Sequence, residues 1–179
     1  MYYVIQVKTG EEEKVINDIN RFNTNRSESF DVFTPTRSTL RKYNGKYREY
    51  TEKCFPGYVF VETDDVKQLF FDLYWVPDFT KLLGRQGKET YYFSPLNQEE
   101  ERMINILYNK DDNRNTKISD IELTEGEKIR ILTGPLKDVE GKIIKVNLHK
   151  RKITVEMPMF NRKVEVDVGI NVIIRTNNG

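Results

Sequence analysis

Four consecutive residues with cationic or titratable side chains stand together in the segment NLHKRKI. Consecutive cations on one turn favour contact with phosphate, and imidazole and guanidinium groups can also contact nucleotide bases. We expect two further cations, in NRKV, to adjoin this turn across one end of a small domain. The predicted nucleic-acid contacts here are His149, Lys150, Arg151, Lys152, Arg162 and Lys163. A solubilising loop is the alternative interpretation.

The sequence contains few of the residues and motifs that enzymes use for catalysis. His149 is the sole histidine, and a basic turn is a poor environment for a general base. The chain has no GxxxxGKS or GxxxxGKT phosphate loop, no GxGxxG after a strand, and no HExxH or paired CxxC for a metal. We therefore predict no enzyme activity and no catalytic, cofactor-binding or metal-binding residues. A hydrolase that uses carboxylates alone stays open, although first-turn helix charges explain the acidic runs.

Aromatic residues concentrate in CFPGYVFVE, residues 54–62. Tyr58 and Phe60 are two apart in a predicted strand and so share a face, and the Pro56-Gly57 pair marks the entrance of that strand. With the first strand they can form an aromatic depression for an apolar partner helix. The predicted contact set is Tyr2, Val4, Phe55, Tyr58 and Phe60. The alternative, a place in the core, is favoured for Val59 and Val61.

The amino-terminal part alternates predicted strands and helices. The pattern predicts strands at 2–7, 30–40, 46–53 and 58–63, short strands in FTKLLGR and YYF, and helices after Thr9, over 64–75, and from Ser94-Pro95. Asn44-Gly45 supplies a tight hairpin turn. This order predicts an α+β fold, an antiparallel sheet sandwiched by helices.

Beyond residue 108 the pattern changes. Residues 109–121 are polar and predict a flexible linker, and short alternating strands at 128–134, 139–147, 152–157, 162–168 and 171–175 predict a small all-β barrel. The predicted domains are therefore 1–108 and 122–179. Residues 1–110 have a net charge of −1 and residues 124–179 of +4, so attraction for a polyanion lies mainly in the second domain.

The compartment follows from what the sequence lacks. No apolar run approaches the roughly 20 residues that cross a bilayer, and the amino terminus lacks the regions of a signal peptide. The single cysteine, Cys54, cannot form an internal disulfide and is interpreted as a packing residue. We expect a cytoplasmic protein that does not contact membranes.

Three segments, in this order, resemble the NusG family of transcription elongation and antitermination factors. They are YYVIQVKTGEEEKV, CFPGYVFVE followed by WVPDFTKLLG, and LTEGEKIRILTGPLKDVEGKIIKV. The first two are similar to the family's NGN domain and the third to its KOW motif. The resemblance extends from Tyr2 to about Arg175. It implies a monomeric, non-enzymatic factor without cofactors, whose NGN domain binds the clamp of RNA polymerase through the aromatic contact set and promotes processive elongation.

Two positions depart from the family pattern. Trp75 stands where the family contacts the non-template DNA strand, usually with polar residues, and an exposed Trp can stack on an unpaired base. Phe160 stands where the family places an aromatic residue that binds ribosomal protein S10 or Rho, but Asn161 replaces the usual glycine.

These departures favour a specialised, operon-specific paralog of the kind represented by RfaH and LoaP over the housekeeping factor. The predicted strands of residues 128–175 indicate a standing β-barrel rather than the helical carboxy-terminal form of RfaH, so LoaP, which recognises a nascent RNA hairpin, is the better analogue. A general housekeeping factor that couples polymerase to the ribosome or Rho is one alternative. A KOW-type RNA-binding or ribosome-associated protein that does not bind polymerase is another.

Overall fold

A computed structural model describes residues 1–24, 26, 30–77, 81–82, 84–86, 91–124 and 128–174. Residues 79, 80, 83 and 175, which belong to predicted strands, lie outside the described residues. The helices are α1 (Glu12–Asn23), α2 (Val66–Leu73) and α3 (Gln98–Leu107). The strands are β1 (Tyr2–Gln6), β2 (Asp31–Phe33), β3 (Thr36–Tyr43), β4 (Lys46–Lys53), β5 (Tyr58–Glu62), β6 (Lys81–Leu82), β7 (Gly84–Gln86), β8 (Tyr91–Phe93), β9 (Asn115–Thr116), β10 (Ser119–Leu123), β11 (Ile129–Thr133), β12 (Ile143–Asn147), β13 (Lys152–Met159) and β14 (Arg162–Ile173).

The chain divides into two compact units. Unit 1 comprises Met1–Pro35 and Phe55–Glu101, and unit 2 comprises Thr36–Cys54 and Arg102–Gly179. This division differs from the predicted boundary at residue 108, because the β3–β4 hairpin belongs to the unit that also contains the carboxy-terminal strands. Helices combined with several sheets agree with the predicted mixed fold class.

Unit 1 is built on a sheet with strand order β2-β5-β1-β6, in which all neighbours are antiparallel. Tyr3 pairs with Val61 and Ile5 with Val59, so these side chains share one face. That face packs against the apolar sides of α1 and α2, whose contributions are Val15, Ile19, Leu69 and Leu73. The prediction that Val59 and Val61 are core residues is confirmed.

Side-chain caps fix where α2 and α3 begin. The Asp65 carboxylate accepts a hydrogen bond from the Gln68 backbone N–H at 3.0 Å, which starts α2. Asn97 and Glu100 form a reciprocal capping box at the start of α3. This box explains why α3 begins three residues after the predicted Ser94-Pro95 start. None of the described helices is long and apolar enough to cross a membrane.

The Pro56-Gly57 pair lies at the entrance of β5, as its residue types predict. The Tyr58 N–H donates to the Phe55 carbonyl at 3.1 Å and closes a turn, and Gly57 has a φ of 85°. The Gly57 N–H donates to the buried carboxylate of Glu12 at 2.6 Å, and the same carboxylate accepts from the Gly10 N–H at 3.0 Å. A first-turn glutamate, predicted only as a helix charge, therefore ties α1 to the start of β5.

Unit 2 contains a five-stranded sheet of order β11-β10-β14-β13-β12. Neighbours are antiparallel except β10 and β14, which are parallel. Strand β10 begins inside the predicted flexible linker, residues 109–121. The buried residues of that segment include Thr116 in β9 and Ser119 and Ile121 in β10. Residues 115 and 116 pair with β3, and residues 119–121 pair with β11 and β14, so this part of the predicted linker forms strands rather than a flexible connection.

The β3–β4 hairpin turns at Asn44-Gly45, where both residues have positive φ, as predicted. Its strand β3 lies close to β14. A Cβ added to Gly169 would lie 2.3 Å from the Ser38 carbonyl oxygen, far inside van der Waals contact. Glycine at position 169 is therefore what allows the two backbones to approach.

Candidate nucleic-acid interface

The basic turn between β12 and β13 has a well-defined backbone. The Asn147 side-chain oxygen accepts from the Lys150 N–H at 2.9 Å, and the Arg151 N–H donates to the Leu148 carbonyl at 3.2 Å. Arg151 has a φ of 52°, and its carbonyl accepts from Ile170 in β14 at 2.9 Å. These bonds hold the turn in place and leave His149 and Lys150 exposed.

The turn and the β3–β4 hairpin together line a groove of about 540 Å³ in unit 2. The cations that line this groove, which we call the basic groove, come from both elements and from β13; they are Arg37, Arg41, Lys42, Lys150, Arg151 and Lys152. His149 and Tyr47 also line it, whereas Glu52 and Asp167 are its acidic residues. The groove therefore carries an excess of positive charge.

Both carboxylates in the basic groove are paired. Glu52 accepts hydrogen bonds from Arg37 at 3.0 Å and from Arg41, and Asp167 accepts from Lys152 at 2.6 Å. Partial burial acts to raise the pKa of each carboxyl, but the hydrogen bonds outweigh it and lower both pKa values. Glu52 and Asp167 are consequently ionised at neutral pH and act as hydrogen-bond acceptors for Arg37, Arg41 and Lys152.

Tyr47 forms the aromatic part of the basic groove. Its ring is 42% exposed, and the Arg151 guanidinium lies 4.7 Å from the ring centroid. A hydrogen bond from Arg151 lowers the pKa of the Tyr47 hydroxyl. Arg151, a predicted RNA contact, is therefore stacked on a tyrosine from a strand about a hundred residues earlier. No local sequence pattern indicates that pairing.

Arg162 and Lys163 do not adjoin the basic turn. Lys152 pairs with Gly169 and Met159 with Arg162, so the two sets of cations lie at opposite ends of β13. At roughly 3.3 Å per residue, these ends are about 23 Å apart. Lys163 is instead paired with Glu156 at 2.7 Å. The prediction of one cluster is wrong, because a hairpin as long as β13–β14 separates its two ends.

The aromatic contact set shares one face of the unit 1 sheet, as predicted. Val4 pairs with Phe60 and Gln6 with Tyr58, and the Phe55 and Phe60 rings are 5.6 Å apart. Four members of the set are nevertheless buried, at exposures of 5% for Tyr2, 2% for Val4, 6% for Phe55 and 0% for Phe60. Only Tyr58 is partly exposed. The expected open depression is absent from these described residues, and their contact with polymerase stays a prediction.

Known proteins match this chain over most of its length. The family model described as transcription termination factor nusG matches residues 1–106. Transcription termination/antitermination protein NusG of Staphylococcus carnosus (strain TM300) is 29% identical over 175 residues, covering 96% of this chain and 93% of the relative. The proteins of the same name from Staphylococcus epidermidis (strain ATCC 12228 / FDA PCI 1200) and Staphylococcus aureus (strain N315) are 30% identical with the same coverage. The chain belongs to the NusG family. NusG-family proteins are non-enzymatic transcription factors, so the prediction of a transcription factor without enzyme activity is confirmed.

Trp75, at the position where the resemblance to the NusG family implies DNA contact, is 72% exposed. Its ring lies edge-on to Tyr74, with centroids 5.4 Å apart, and Tyr74 is 82% exposed. Phe70 and Phe71 on α2 are also exposed. Trp75 is thus available for stacking, although its contact with DNA stays a prediction.

Phe160 occupies the β13–β14 turn of this NusG-family chain. Phe160 and Asn161 have φ values of 57° and 58°, the left-handed conformation that glycine adopts most easily. Phe160 is half-buried, and its role in binding a partner stays a prediction. Asn161 therefore fills the usual glycine position with a residue type that tolerates this conformation.

Cys54 lies in unit 2 as a mainly buried thiol. Burial raises the pKa of Cys54 to about 11, despite a hydrogen bond with the fully buried Tyr108 that acts in the opposite direction. The thiol is therefore protonated at neutral pH and has low nucleophilicity. This environment agrees with the interpretation of Cys54 as a packing residue.

Proposed function

We propose that this chain is a transcription elongation and antitermination factor that binds RNA polymerase and is directed to particular operons by nascent RNA, in the manner of LoaP. Its relatives are named transcription termination/antitermination proteins. The observation that carries the RNA part of the proposal is the basic groove, in which cations from the hairpin and the turn converge around Tyr47. Phosphate contacts of this kind supply most of the affinity for nucleic acid. Its place of action is the transcription complex in the cytoplasm.

The operon-specific part can be tested by transcription with purified RNA polymerase through a terminator. We expect the protein to increase read-through only when the RNA leader of its own operon precedes the terminator. Lys150→Glu combined with Arg151→Glu should remove this leader-dependent increase, because two attractive charges in the groove become repulsive. Lys137→Glu, which reverses an exposed charge outside the groove, is the matched control. An equal increase in read-through on all templates would instead favour the general housekeeping factor, for which coupling to the ribosome through protein S10 or to Rho is the expected role.

The polymerase part rests on the partly exposed member of the aromatic contact set. We expect Tyr58→Ala to weaken polymerase binding roughly 10- to 150-fold, the effect of losing about 1.5–3 kcal/mol of ring burial. Tyr58→Phe keeps the ring and should bind within a few-fold of the unsubstituted chain. A pull-down with polymerase core enzyme, followed by titration, measures the difference. Undiminished binding by Tyr58→Ala would contradict the proposed docking face.

A second candidate is an RNA-binding or ribosome-associated protein that does not bind polymerase. The burial of Phe55 and Phe60 favours it, since buried rings offer no surface to a partner helix. The two candidates differ in one result. Polymerase captures the chain under the first proposal and leaves it unbound under the second, whereas RNA binding is common to both.

A further inference from the structure

The charges of the basic groove fall into two groups. Arg37, Arg41 and Lys152 are bound to the groove's two carboxylates. Lys42 and Lys150 are exposed and have no carboxylate partner among the described residues, and Arg151 faces the Tyr47 ring. The cations available to a ligand therefore line the same groove as the aromatic ring.

The groove is too small to hold a nucleic-acid helix. Its volume of about 540 Å³ falls within the roughly 300–1,000 Å³ that is usual for sites of small molecules. A double helix presents its phosphates on a broad convex surface, whereas this concave site encloses a ligand of about one or two nucleotides. Its size therefore favours nucleotides that are free of base pairing.

Tyr47 and the carboxylates add features that phosphate binding alone does not require. Aromatic rings and guanidinium planes stack on unpaired bases, and the Tyr47–Arg151 pair supplies both. Glu52 already accepts from Arg37 and Arg41, and Asp167 from Lys152 and Thr154. Each carboxylate has about four acceptor sites, and these two side chains are 25% and 22% exposed, so a ribose 2′-hydroxyl, the group that distinguishes RNA from DNA, can donate a further hydrogen bond to them. Phosphate, base and sugar each have a matching group in one groove.

We propose that the basic groove binds one or two unpaired ribonucleotides, with the base stacked on the Tyr47–Arg151 pair and the phosphates held by Lys42 and Lys150. This inference rests on the proposed RNA binding and specifies which part of the RNA the protein holds. It assigns the hairpin and the turn to a single site.

The test measures binding of the full chain to fluorescein-labelled RNA by anisotropy. The probes are a random-sequence 12-nucleotide RNA, a DNA of the same kind, and a blunt 12-base-pair RNA duplex. We expect the single-stranded RNA to bind more tightly than the DNA or the duplex. Tyr47→Leu should weaken that binding about 5- to 150-fold, the range for loss of one stacked base.

Matched variants separate stacking from charge. Tyr47→Phe keeps the ring and should retain affinity within about threefold of the unsubstituted chain. Lys150→Ala should reduce the slope of log affinity against log salt by about 0.7, the value for one phosphate contact on a single strand. Lys137→Ala removes an exposed charge outside the groove and should change neither quantity.

The outcomes distinguish this inference from the function on which it rests. The groove recognises charge only if Tyr47→Leu binds all probes as tightly as the unsubstituted chain, or if duplex and single strand bind equally. Either result overturns the inference but leaves RNA-directed antitermination unaffected. If no probe binds at 100 mM salt, the inference fails, whereas RNA-directed antitermination is judged separately by the leader-dependent read-through assay. Polymerase binding, measured separately through Tyr58, is unaffected by either result.

Discussion

Phe60→Ala is expected to lower the free energy of unfolding by about 3–5 kcal/mol, a large part of the roughly 5–15 kcal/mol that stabilises an ordinary domain. The Phe60 ring is fully buried, stacks with Phe33 at a centroid distance of 5.7 Å, and lies tilted against Phe55 with centroids 5.6 Å apart. Alanine would leave a cavity in place of the Phe60 ring and remove its contacts with Phe33 and Phe55. Urea unfolding followed by circular dichroism measures the change.

Tyr58→Ala is the matched comparison, since Tyr58 lies two residues away on the same face and is partly exposed. It should cost clearly less stability than Phe60→Ala. If instead Phe60→Ala keeps the full free energy of unfolding and loses polymerase binding, the ring is exposed in solution and belongs to a docking surface.

Gly169→Ala should have the second large effect, a loss of about 3 kcal/mol or a failure of unit 2 to fold. The added Cβ would lie 2.3 Å from the Ser38 carbonyl oxygen. Overpacking against side chains usually costs about 1–3 kcal/mol, and a backbone atom cannot move aside by changing rotamer. In a chain of this size, 3 kcal/mol corresponds to a decrease of roughly 6–12 °C in Tm, which thermal unfolding can measure.

The control for this substitution is Gly141→Ala in the same unit. A Cβ at Gly141 would meet no atom within 4 Å, so Gly141→Ala should leave Tm nearly unchanged. Equal Tm values for the two alanine variants would show that β3 and β14 do not approach as closely as described. Loss of RNA binding by folded Gly169→Ala would also be expected, because Gly169 lines the basic groove.

Local features of the fold were predictable where neighbouring residues determine them. The aromatic and β-branched runs predicted β1 and β5, and Asn44-Gly45 predicted the hairpin turn. The Pro56-Gly57 pair predicted the entrance of β5 because proline lacks an N–H to donate and glycine adopts positive φ. Each of these inferences depends on residues a few positions apart.

Long-range pairing was not predictable in the same way. The predicted linker, residues 109–121, looked polar because Ile118 and Ile121 are its only apolar residues, yet its last three residues begin β10. Its stability comes from partners on β11 and β14, which its own composition does not indicate. The meeting of the hairpin and the basic turn in one groove escaped prediction for the same reason, since Tyr47 and Arg151 meet only through the fold of unit 2.

The candidate docking face shows a third limit. Spacing correctly placed Tyr58 and Phe60 on one face, because side chains alternate along a strand. It could not establish whether that face is covered, since both faces of this sheet carry aromatic and aliphatic residues. Burial depends on which other elements pack there, and that depends on the whole chain.

The discontinuity of unit 2 has a consequence for synthesis on the ribosome. The β3–β4 hairpin ends at Lys53. Gly169, whose missing side chain allows β14 to pack closely against β3, follows about 115 residues later. At translation rates of roughly 5–20 residues per second, Gly169 is synthesised about 6–23 s after the hairpin. During this interval a two-stranded ribbon, marginally stable alone, stands outside the ribosome with its tyrosines and arginines uncovered. Charged residues along both of its strands oppose pairing with other nascent chains, so the same cations that line the groove also protect the protein while it is being made.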